Sequence, residues 1–363
     1  MSQGAAGVER LTVLDLFAGA GGISAGFAQT KGFRTVQAVE MDVAAAATYA
    51  SNHPEAAVYV GPIQDWLIDR DIPEVDVIVG GPPCQGFSTL GKQDVEDERN
   101  VLWREYAETI TKARPKWFVV ENVAAFLKSP QYEALVAETR PDGLLADYSV
   151  QARVLNAADF GAHQARRRAV IIGHHRDLPF PGWPTAGFSG RHRTVQQALD
   201  GVPTAWDADD LPDKATDFRG FTLPGVFRTT DLHVGRRYTN LSLQRFAHIP
   251  PGGNRFDIPE HLLAPCWVNH RSGSADVMGR LRWDRPSVTI RTEFFKPEKG
   301  RYLHPSANRA ITHFEAALLQ GFPRDYQWVG SKVAIARQIG NAVPIALAEV
   351  LGLQLLGAAR GQS

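Results

Sequence analysis

The residues best suited to chemistry lie in the stretch "DVIVGGPPCQGFSTLGKQD", from Asp76 to Asp94. Residues 80–83 are two glycines and two prolines, which cannot continue a central strand because proline lacks a backbone donor and glycine has no side chain to pack. They predict a rigid turn with Cys84 at its tip, where a thiolate could be held against a substrate. A lone cysteine is more commonly a small buried hydrophobe. That is the role we expect for Cys266, in "LAPCWVN", which lacks such a context.

Two further polar groups lie beside apolar strands. In "VVENV", Glu121 and Asn122 close a strand at its carboxyl end. Ligands bind at that edge of an open α/β sheet, and burial there favours the protonated form of a carboxyl group. An acid that complements a helix dipole is an equally compatible interpretation. In "HQARRRAVIIG", alternation would direct Arg166 and Arg168 to one face of a strand, although an isolated basic triplet is more often a solvated surface.

The segment "DLFAGAGG" places a glycine turn between the first predicted strand and the first helix. A dinucleotide site would require the pattern G-x-G-x-x-G; Gly19 and Gly21 fit it, but Ser24 stands at the third position. Glu40 ends the second strand, about 20 residues on, where an acid can hold ribose hydroxyls. The pattern favours a ribose-bearing ligand without a pyrophosphate, such as S-adenosylmethionine. The glycines by themselves could also only form a tight turn.

These groups need a sheet to position them. Over residues 11–173, near-continuous apolar strands alternate with amphipathic helices, which predicts a doubly wound parallel α/β sheet covered on both faces. From about residue 177 to 284 the periodicity is lost, which indicates a second, smaller domain of irregular or β-rich character. Two helices follow, and the last, "VPIALAEVLGLQLLG", is apolar enough to pack back on the first domain. We expect a catalytic domain of residues 1–177 plus 330–363 and a smaller domain of residues 178–329.

Composition limits the classes of function. The 363 residues are 44% hydrophobic and 21% charged, as in ordinary globular proteins. The 39 basic and 39 acidic residues cancel, so a polyanionic partner would need a locally basic face. Two cysteines provide neither a disulfide framework nor zinc-ligand spacing, and we expect no metal. No apolar run could span a bilayer and no secretory core is present, so we expect a cytoplasmic protein.

Taken together, the motifs resemble those of the C5-cytosine DNA methyltransferases, in the single-chain prokaryotic form. They occur in family order as "DLFAGAGG", "VEMD", "GGPPCQGFS", "DERNVLW", "VVENV", "QARRR", "RPSVTIRTE", "LHPSANRAITHFEAALLQGFP" and "QIGNAVP". They cover residues 11–173 and 285–350. The resemblance implies a Rossmann-like methyltransferase sheet, and it implies that residues 178–284 form the variable part of a target-recognition domain.

The resemblance also implies a mechanism. Cys84 would add to carbon 6 of a cytosine that has been flipped out of duplex DNA, which makes carbon 5 nucleophilic toward the methyl group of S-adenosylmethionine. Glu121 would act as the acid at nitrogen 3. Arg168 would hold oxygen 2, and Arg166 belongs to the same Q-x-R-x-R pattern and is placed in the catalytic set.

A cofactor pocket follows from the same resemblance. Its residues would be Phe17, Gly19, Gly21, Glu40, Met41, Ile63, Pro83, Asn341 and Val343. One position departs from the family pattern, because Pro62 stands where an acid often contacts the adenine amine. Asp65 could substitute, or the contact could be absent.

The catalytic motifs leave two alternatives open. A transfer-RNA cytosine methyltransferase would share them, although the recognition region of roughly 100 residues and the "CQGFS" loop favour DNA. A catalytically inactive DNA-binding homologue would not need Cys84, Glu121 and Arg168 together. We expect a monomeric enzyme near the nucleoid, either a solitary or phage methylase or the partner of a restriction endonuclease. Its DNA target is not encoded in any motif recognised above.

Overall fold

The computed structural model describes residues 10–83, 102–206, 208–268 and 273–361. The candidate nucleophile Cys84 lies outside these residues. The chain divides into two compact units. The first comprises residues 1–156, 167–185 and 343–363, and the second comprises residues 157–166 and 186–342. These boundaries differ from the predicted ones because residues 157–166 and 330–342 belong to the second unit and residues 178–185 belong to the first.

The elements are numbered along the chain. The strands are β1 (Leu11–Leu16), β2 (Phe33–Glu40), β3 (Ala57–Val60), β4 (Val77–Gly80), β5 (Trp117–Val123), β6 (Tyr148–Asn156), β7 (Gln164–Ala165), β8 (Arg167–His175), β9 (Ala215–Phe218), β10 (Phe221–Arg228), β11 (Ser287–Val288) and β12 (Gln327–Val329). The helices are α1 (Gly22–Gln29), α2 (Val43–Asn52), α3 (Ile63–Asp69), α4 (Leu102–Ala113), α5 (Pro130–Ala137), α6 (Val195–Ala198), α7 (Asn240–Ala247), α8 (Pro265–Val268), α9 (His313–Gln320), α10 (Lys332–Asn341) and α11 (Ile345–Arg360).

The first unit contains a seven-stranded sheet in the order β3-β2-β1-β4-β5-β8-β6. The strands from β3 to β5 in this order are parallel, which confirms the predicted doubly wound α/β architecture. The sheet is not parallel throughout, however, because β8 runs antiparallel to both β5 and β6. Strand β6 was not predicted; it is a partly exposed edge strand with polar residues such as Gln151 and Arg153. Because β6 and β8 are antiparallel, no crossover helix is needed to connect them.

Local sequence explains how the helices of this unit begin and where they pack. Asp42 caps α2, since its carboxylate accepts from the Ala45 amide at 2.9 Å. One face of the sheet forms a core with α3, α4 and α5 that includes Trp66, Tyr106 and Phe118. The carboxyl-terminal helix α11 lies against α1, where a Cβ atom at Gly26 would come within 2.5 Å of the Ala348 Cβ atom.

The second unit has little regular structure. It contains the antiparallel sheet β12-β10-β9, the short parallel pair β11-β7, and helices α6 to α10. A small core around Phe246 and Leu303 is supplemented by buried arginines. Arg280 donates to the carbonyl oxygens of Ile249, His304, Ala307 and Phe246 at 2.6 to 2.7 Å. Irregular buried backbone must find such partners, which explains why a loop-rich unit buries charged side chains.

No single helix in the described part of the chain is both long and apolar enough to cross a membrane. Helices α10 and α11 meet that criterion only when they are taken together as a bent pair.

Candidate active site

The glycine turn and Glu40 are joined by direct hydrogen bonds. Phe17, Gly19 and Gly21 all have positive φ angles, of 54°, 55° and 87°, so the chain turns sharply between β1 and α1. Glu40, at the end of β2, accepts from the Gly19 amide through Oε2 and from the Asp42 amide through Oε1, each at 2.8 Å. Burial raises the pKa of Glu40, while these backbone hydrogen bonds lower it. The hydrogen bond from Gly19 therefore fixes the position of the glycine turn relative to the Glu40 carboxylate.

A buried polar network supports the turn from behind. The Ser24 hydroxyl donates to Asp15 Oδ2 at 2.6 Å and lies 2.7 Å from the Tyr49 hydroxyl, which is 3.4 Å from the same oxygen. The His53 ring donates to the Gly21 carbonyl, and its Nε2 atom is buried without a hydrogen bond among the described residues. Burial raises the pKa of Asp15 to about 7 and lowers that of His53 to about 4. Strand β1 and helices α1 and α2 are thus joined through polar side chains.

These supporting residues were not among the predicted site residues. Asp15 stands inside the quoted glycine motif, but Ser24 was noted only as the residue that breaks the dinucleotide pattern. Tyr49 and His53 belong to α2 and its carboxyl-terminal cap. The i, i+4 spacing of these two aromatic residues, which places them on one helix face, is the sequence signal that could have linked them.

Strands β1, β4 and β5 end side by side. Gly80 is in register with Leu16 on one side and with Val120 on the other. A Cβ atom at Gly80 would lie 2.4 Å from the Leu16 carbonyl oxygen, so only glycine fits there. The Asn122 side chain donates to the Pro82 carbonyl at 3.0 Å, which ties the segment that leads to Cys84 to the end of β5. The glycine turn, the start of the cysteine segment and Glu121 therefore share one edge of the sheet.

Glu121 and Arg168 form a close ion pair at this edge. The Arg168 Nε atom lies 3.0 Å from Glu121 Oε1, and the two side chains are 14% and 11% exposed. The N–H bond does not point at the oxygen, so Oε1 has no aligned hydrogen bond among the described residues. Glu121 is buried, as expected for an acid at the end of an apolar strand. The pair also brings together two of the residues that the sequence placed in one site.

Arg166 is placed differently from Arg168. It belongs to the second unit, where it is 3% exposed and donates to the carbonyls of Ile290 and Gly340 at 3.0 and 3.1 Å. Those carbonyls lie in "RPSVTI" and "QIGNAVP", so the arginine binds these two motifs together. Its bonds are those of a positioning residue, and its place in the catalytic set stays a prediction.

The remaining predicted cofactor residues are spread over both units. Met41 is 69% exposed and follows Glu40 directly, whereas Ile63 is buried at the start of α3. Val343 is buried in the first unit, and Asn341 ends α10 in the second. The helix α3 begins after Pro62, and Asp65 is exposed in its first turn.

Two other expectations concern cysteine and metal chemistry. The packing role expected for Cys266 is wrong, because this residue is exposed on the second unit in the short helix α8. A short apolar stretch in an irregular region does not fix which side chains face inward. Within residues 10–83, 102–206, 208–268 and 273–361, no group of three potential ligands could hold a metal ion.

Comparison with known proteins yields consistent similarities. Residues 11–357 match the family model described as C-5 cytosine-specific DNA methylase. The type II methyltransferase M.XorII of Xanthomonas oryzae is 34% identical over 96% of this chain and 85% of that protein. M1.HphI of Haemophilus parahaemolyticus is 34% identical over 95% of this chain and 87% of its own.

Solved structures show the same fold. A protein described as a DNA modification methyltransferase encoded within an E. coli prophage superimposes with a TM-score of 0.70 at 25% identity, covering 96% of this chain and 99% of that one. The S. pombe Dnmt2 methyltransferase superimposes with a TM-score of 0.59 at 17% identity, which covers 97% and 100% of the two chains and shows similarity of fold alone.

Proposed function

Because the chain belongs to the C-5 cytosine-specific DNA methylase family and is a DNA cytosine-5 methyltransferase, we propose that it takes its methyl group from S-adenosylmethionine. The observation that carries the proposal is the common sheet edge, where Gly80 lies in register between Leu16 and Val120. In this register three segments begin side by side. They are the glycine turn after β1, the cysteine segment after β4, and the last residues of β5, which start with Glu121. A methyl donor bound at the glycine turn would therefore lie beside a nucleophile in the cysteine segment.

The residues at the glycine turn fit such a donor. A Cβ atom at Gly19 would meet nothing within 4 Å, so open space adjoins the turn. Glu40 already accepts two backbone hydrogen bonds, but a carboxylate has about four acceptor positions and can accept from ribose hydroxyls as well. Exposed Met41, next in sequence, offers an apolar, polarisable surface for a purine. When bound, S-adenosylmethionine supplies an electrophilic methyl group.

The protein's own groups carry the remaining steps. We assign to Cys84 the addition of its thiolate to carbon 6 of the cytosine. Carbon 5 then takes the methyl group, with S-adenosylhomocysteine as the leaving group, and loses its proton to a base as the bond to Cys84 breaks and the thiolate is released. Glu121 donates a proton to nitrogen 3, which removes the charge that the addition places on the ring. Arg168, 3.0 Å from Glu121, holds that side chain and presents its remaining N–H groups to oxygen 2. The cytosine is flipped out of the helix to reach these groups.

The physiological setting is proposed from the relatives. Those reported above are named type II methyltransferases, so we propose that the chain protects host DNA beside a separate restriction endonuclease. A monomeric enzyme in the cytoplasm fits this task. We assign target recognition to residues 178–284, and catalysis to residues 1–177 with 330–363. For Asn341 and Val343 we propose roles in cofactor binding.

The test is transfer of a labelled methyl group from S-adenosylmethionine to unmethylated genomic DNA and, separately, to transfer RNA. We expect incorporation into DNA only, and nuclease digestion should yield labelled 5-methylcytosine. A matched pair of variants separates the donor site from general damage. Glu40→Gln should raise the KM for S-adenosylmethionine, whereas Glu55→Gln, on the exposed surface, should not. Incorporation into transfer RNA but not DNA would overturn the proposal.

A further inference from the structure

The second unit contains a cavity of about 440 Å³ with an unusual set of side chains on its wall. We call this cavity the basic pocket. Its wall includes four cations and two aromatic residues, which are Arg236, Arg237, Lys296, Lys332, Tyr238 and Phe295. Asp209 is the acid on the same wall. The buried Arg309 also contributes, but its charge is matched by Glu315, with two contacts of 2.7 Å. Among the described residues, Arg237, Lys332 and Lys296 also pair with acids, which are Asp209, Asp210 and Glu293, so Arg236 carries the excess positive charge of this wall.

Two cations of the basic pocket, Arg237 and Lys332, are paired with exposed acids. Arg237 contacts Asp209 at 2.6 Å, and Lys332 contacts Asp210 at 3.2 Å. These carboxylates are 41% and 77% exposed, and ion pairs in such exposed positions are weak because water screens the charges. A ligand phosphate could therefore displace them at small cost.

Arg236 stands apart from the other cations. It is exposed, and no ion pair joins it to an acid in the described ranges. Its guanidinium lies 5.7 Å from the centre of the Tyr238 ring, a cation–π distance that orients the group without neutralising it. Lys296 lies in the same way 5.5 Å from the Phe295 ring, although it also contacts Glu293. Both cations are held in place with donors left for a ligand.

Helix α10 adds to this potential. It begins at the pocket wall with Lys332 and Val333, and its first turn carries no acidic residue. The amino end of a helix dipole favours an anion. Helix α9 also begins there, but Glu315 occupies its capping box and offsets its dipole.

We propose that the basic pocket binds the sugar–phosphate backbone of the DNA, with Arg236 and Lys296 on a phosphodiester. The proposal rests on the DNA methyltransferase function given above and adds a contact site outside the catalytic edge. A volume of about 440 Å³ leaves room for a sugar beside the phosphate. Contacts to phosphate fix the position of a protein on DNA but carry no sequence information. The basic pocket thus answers how a neutral chain holds a polyanion.

The salt dependence of binding to random-sequence duplex DNA tests this directly, without knowledge of the target site. The slope of log K against log salt should become shallower by about 0.9 for each phosphate contact removed. We expect this change for Arg236→Gln and for Lys296→Gln, and expect Arg236→Lys to retain most of the slope. Arg285→Gln is the matched control, since Arg285 is exposed in the same unit and does not line the pocket.

Methylation assays separate the possible outcomes. Arg236→Gln should raise the KM for genomic DNA and keep the wild-type methylation target, and a thermal unfolding midpoint equal to that of the wild type should show that it is folded. If the salt slope of Arg236→Gln and Lys296→Gln equals that of the wild type, or if Arg285→Gln shows the same decrease in slope, the pocket proposal is overturned. The proposed methyltransferase function is not affected by either result. An altered methylation target would mean that the pocket contacts bases, and this also overturns it. A wild-type protein that neither binds nor methylates any DNA would instead refute the proposed function.

Discussion

Among single residues, Glu121 is the one whose catalytic role can be separated from its structural role by the smallest change. Glu121→Gln keeps the size of the side chain beside Arg168 but cannot deliver a proton. We expect the single-turnover rate of methylation to fall by about 10²–10⁴, the usual contribution of general acid–base catalysis. Glu133→Gln, on the exposed surface of α5, is the control. An unchanged rate for Glu121→Gln would show that the residue is only an acid at a strand end.

Asp15 predicts a pH dependence of stability. Its pKa is raised from 3.8 to about 7 by burial, against hydrogen bonds from Ser24 and Tyr49 that lower it, while the charge of Glu40 raises it further. The folded state therefore binds the proton more tightly than the unfolded state. This contribution to stability is fully present below about pH 4 and is lost as pH rises through 7.

The variant Asp15→Asn removes this titration and can still accept from Ser24. Relative to the wild type, its free energy of unfolding should rise between pH 4.5 and 8.5, by at most about 4 kcal/mol. Urea denaturation across this range measures the difference. Parallel pH profiles for the two proteins would contradict the account of Asp15.

The elements are held together by contacts that glycine permits, and the packing of α1 on α11 shows this best. A Cβ atom at Gly26 would lie 2.5 Å from the Ala348 Cβ atom and 2.7 Å from the Ile345 carbonyl oxygen. Gly26→Ala should therefore destabilise the protein by about 1–3 kcal/mol. Gly357→Ala, in α11 with nothing within 4 Å, should stabilise it by about 0.5–1 kcal/mol. Thermal unfolding of both variants checks this, and equal shifts would contradict the close packing.

Elements with strong periodicity could be predicted from the sequence, and weakly patterned ones could not. The apolar strands β1, β4 and β5, the Asp42 cap and the apolar helix α11 are recognisable from local residues alone. Strand β6 was missed because it is an edge strand with polar side chains, and edge strands need not alternate cleanly. The direction of β8 depends on which strand it pairs with, and no local pattern encodes that.

The candidate site shows the same division. Glu40 and Glu121 were found because acids at the ends of apolar strands stand out in sequence. The hydrogen bond from Asn122 to Pro82 and the one from His53 to Gly21 join residues 40 and 32 positions apart, so only the fold brings them together. Arg166 and Arg168 could not be distinguished in the sequence. In the structure, Arg166 donates to the Ile290 carbonyl, whereas Arg168 forms an ion pair with Glu121.

For the molecule as a whole, the account separates chemistry from target choice. The candidate catalytic residues Cys84, Glu121 and Arg168 all lie outside residues 178–284. Replacing this segment with the matching region of a relative that has another target should change the methylated sequence and preserve turnover. Methylation-sensitive sequencing of a host that expresses the chimera provides the measurement. A folded, active chimera that keeps the original target would refute the recognition role of the segment.

The central claim is that this chain methylates duplex DNA through a covalent bond between Cys84 and cytosine. Duplex DNA in which 5-fluorocytosine replaces cytosine tests it most directly, because fluorine at carbon 5 cannot leave as a proton does and the adduct persists. With S-adenosylmethionine present, the wild type should form a complex that resists denaturation, Cys84→Ser should form none, and Glu133→Gln should behave as the wild type. Peptide mapping should locate the DNA on Cys84. Absence of an adduct with the wild type, or an adduct on another residue, would contradict the account.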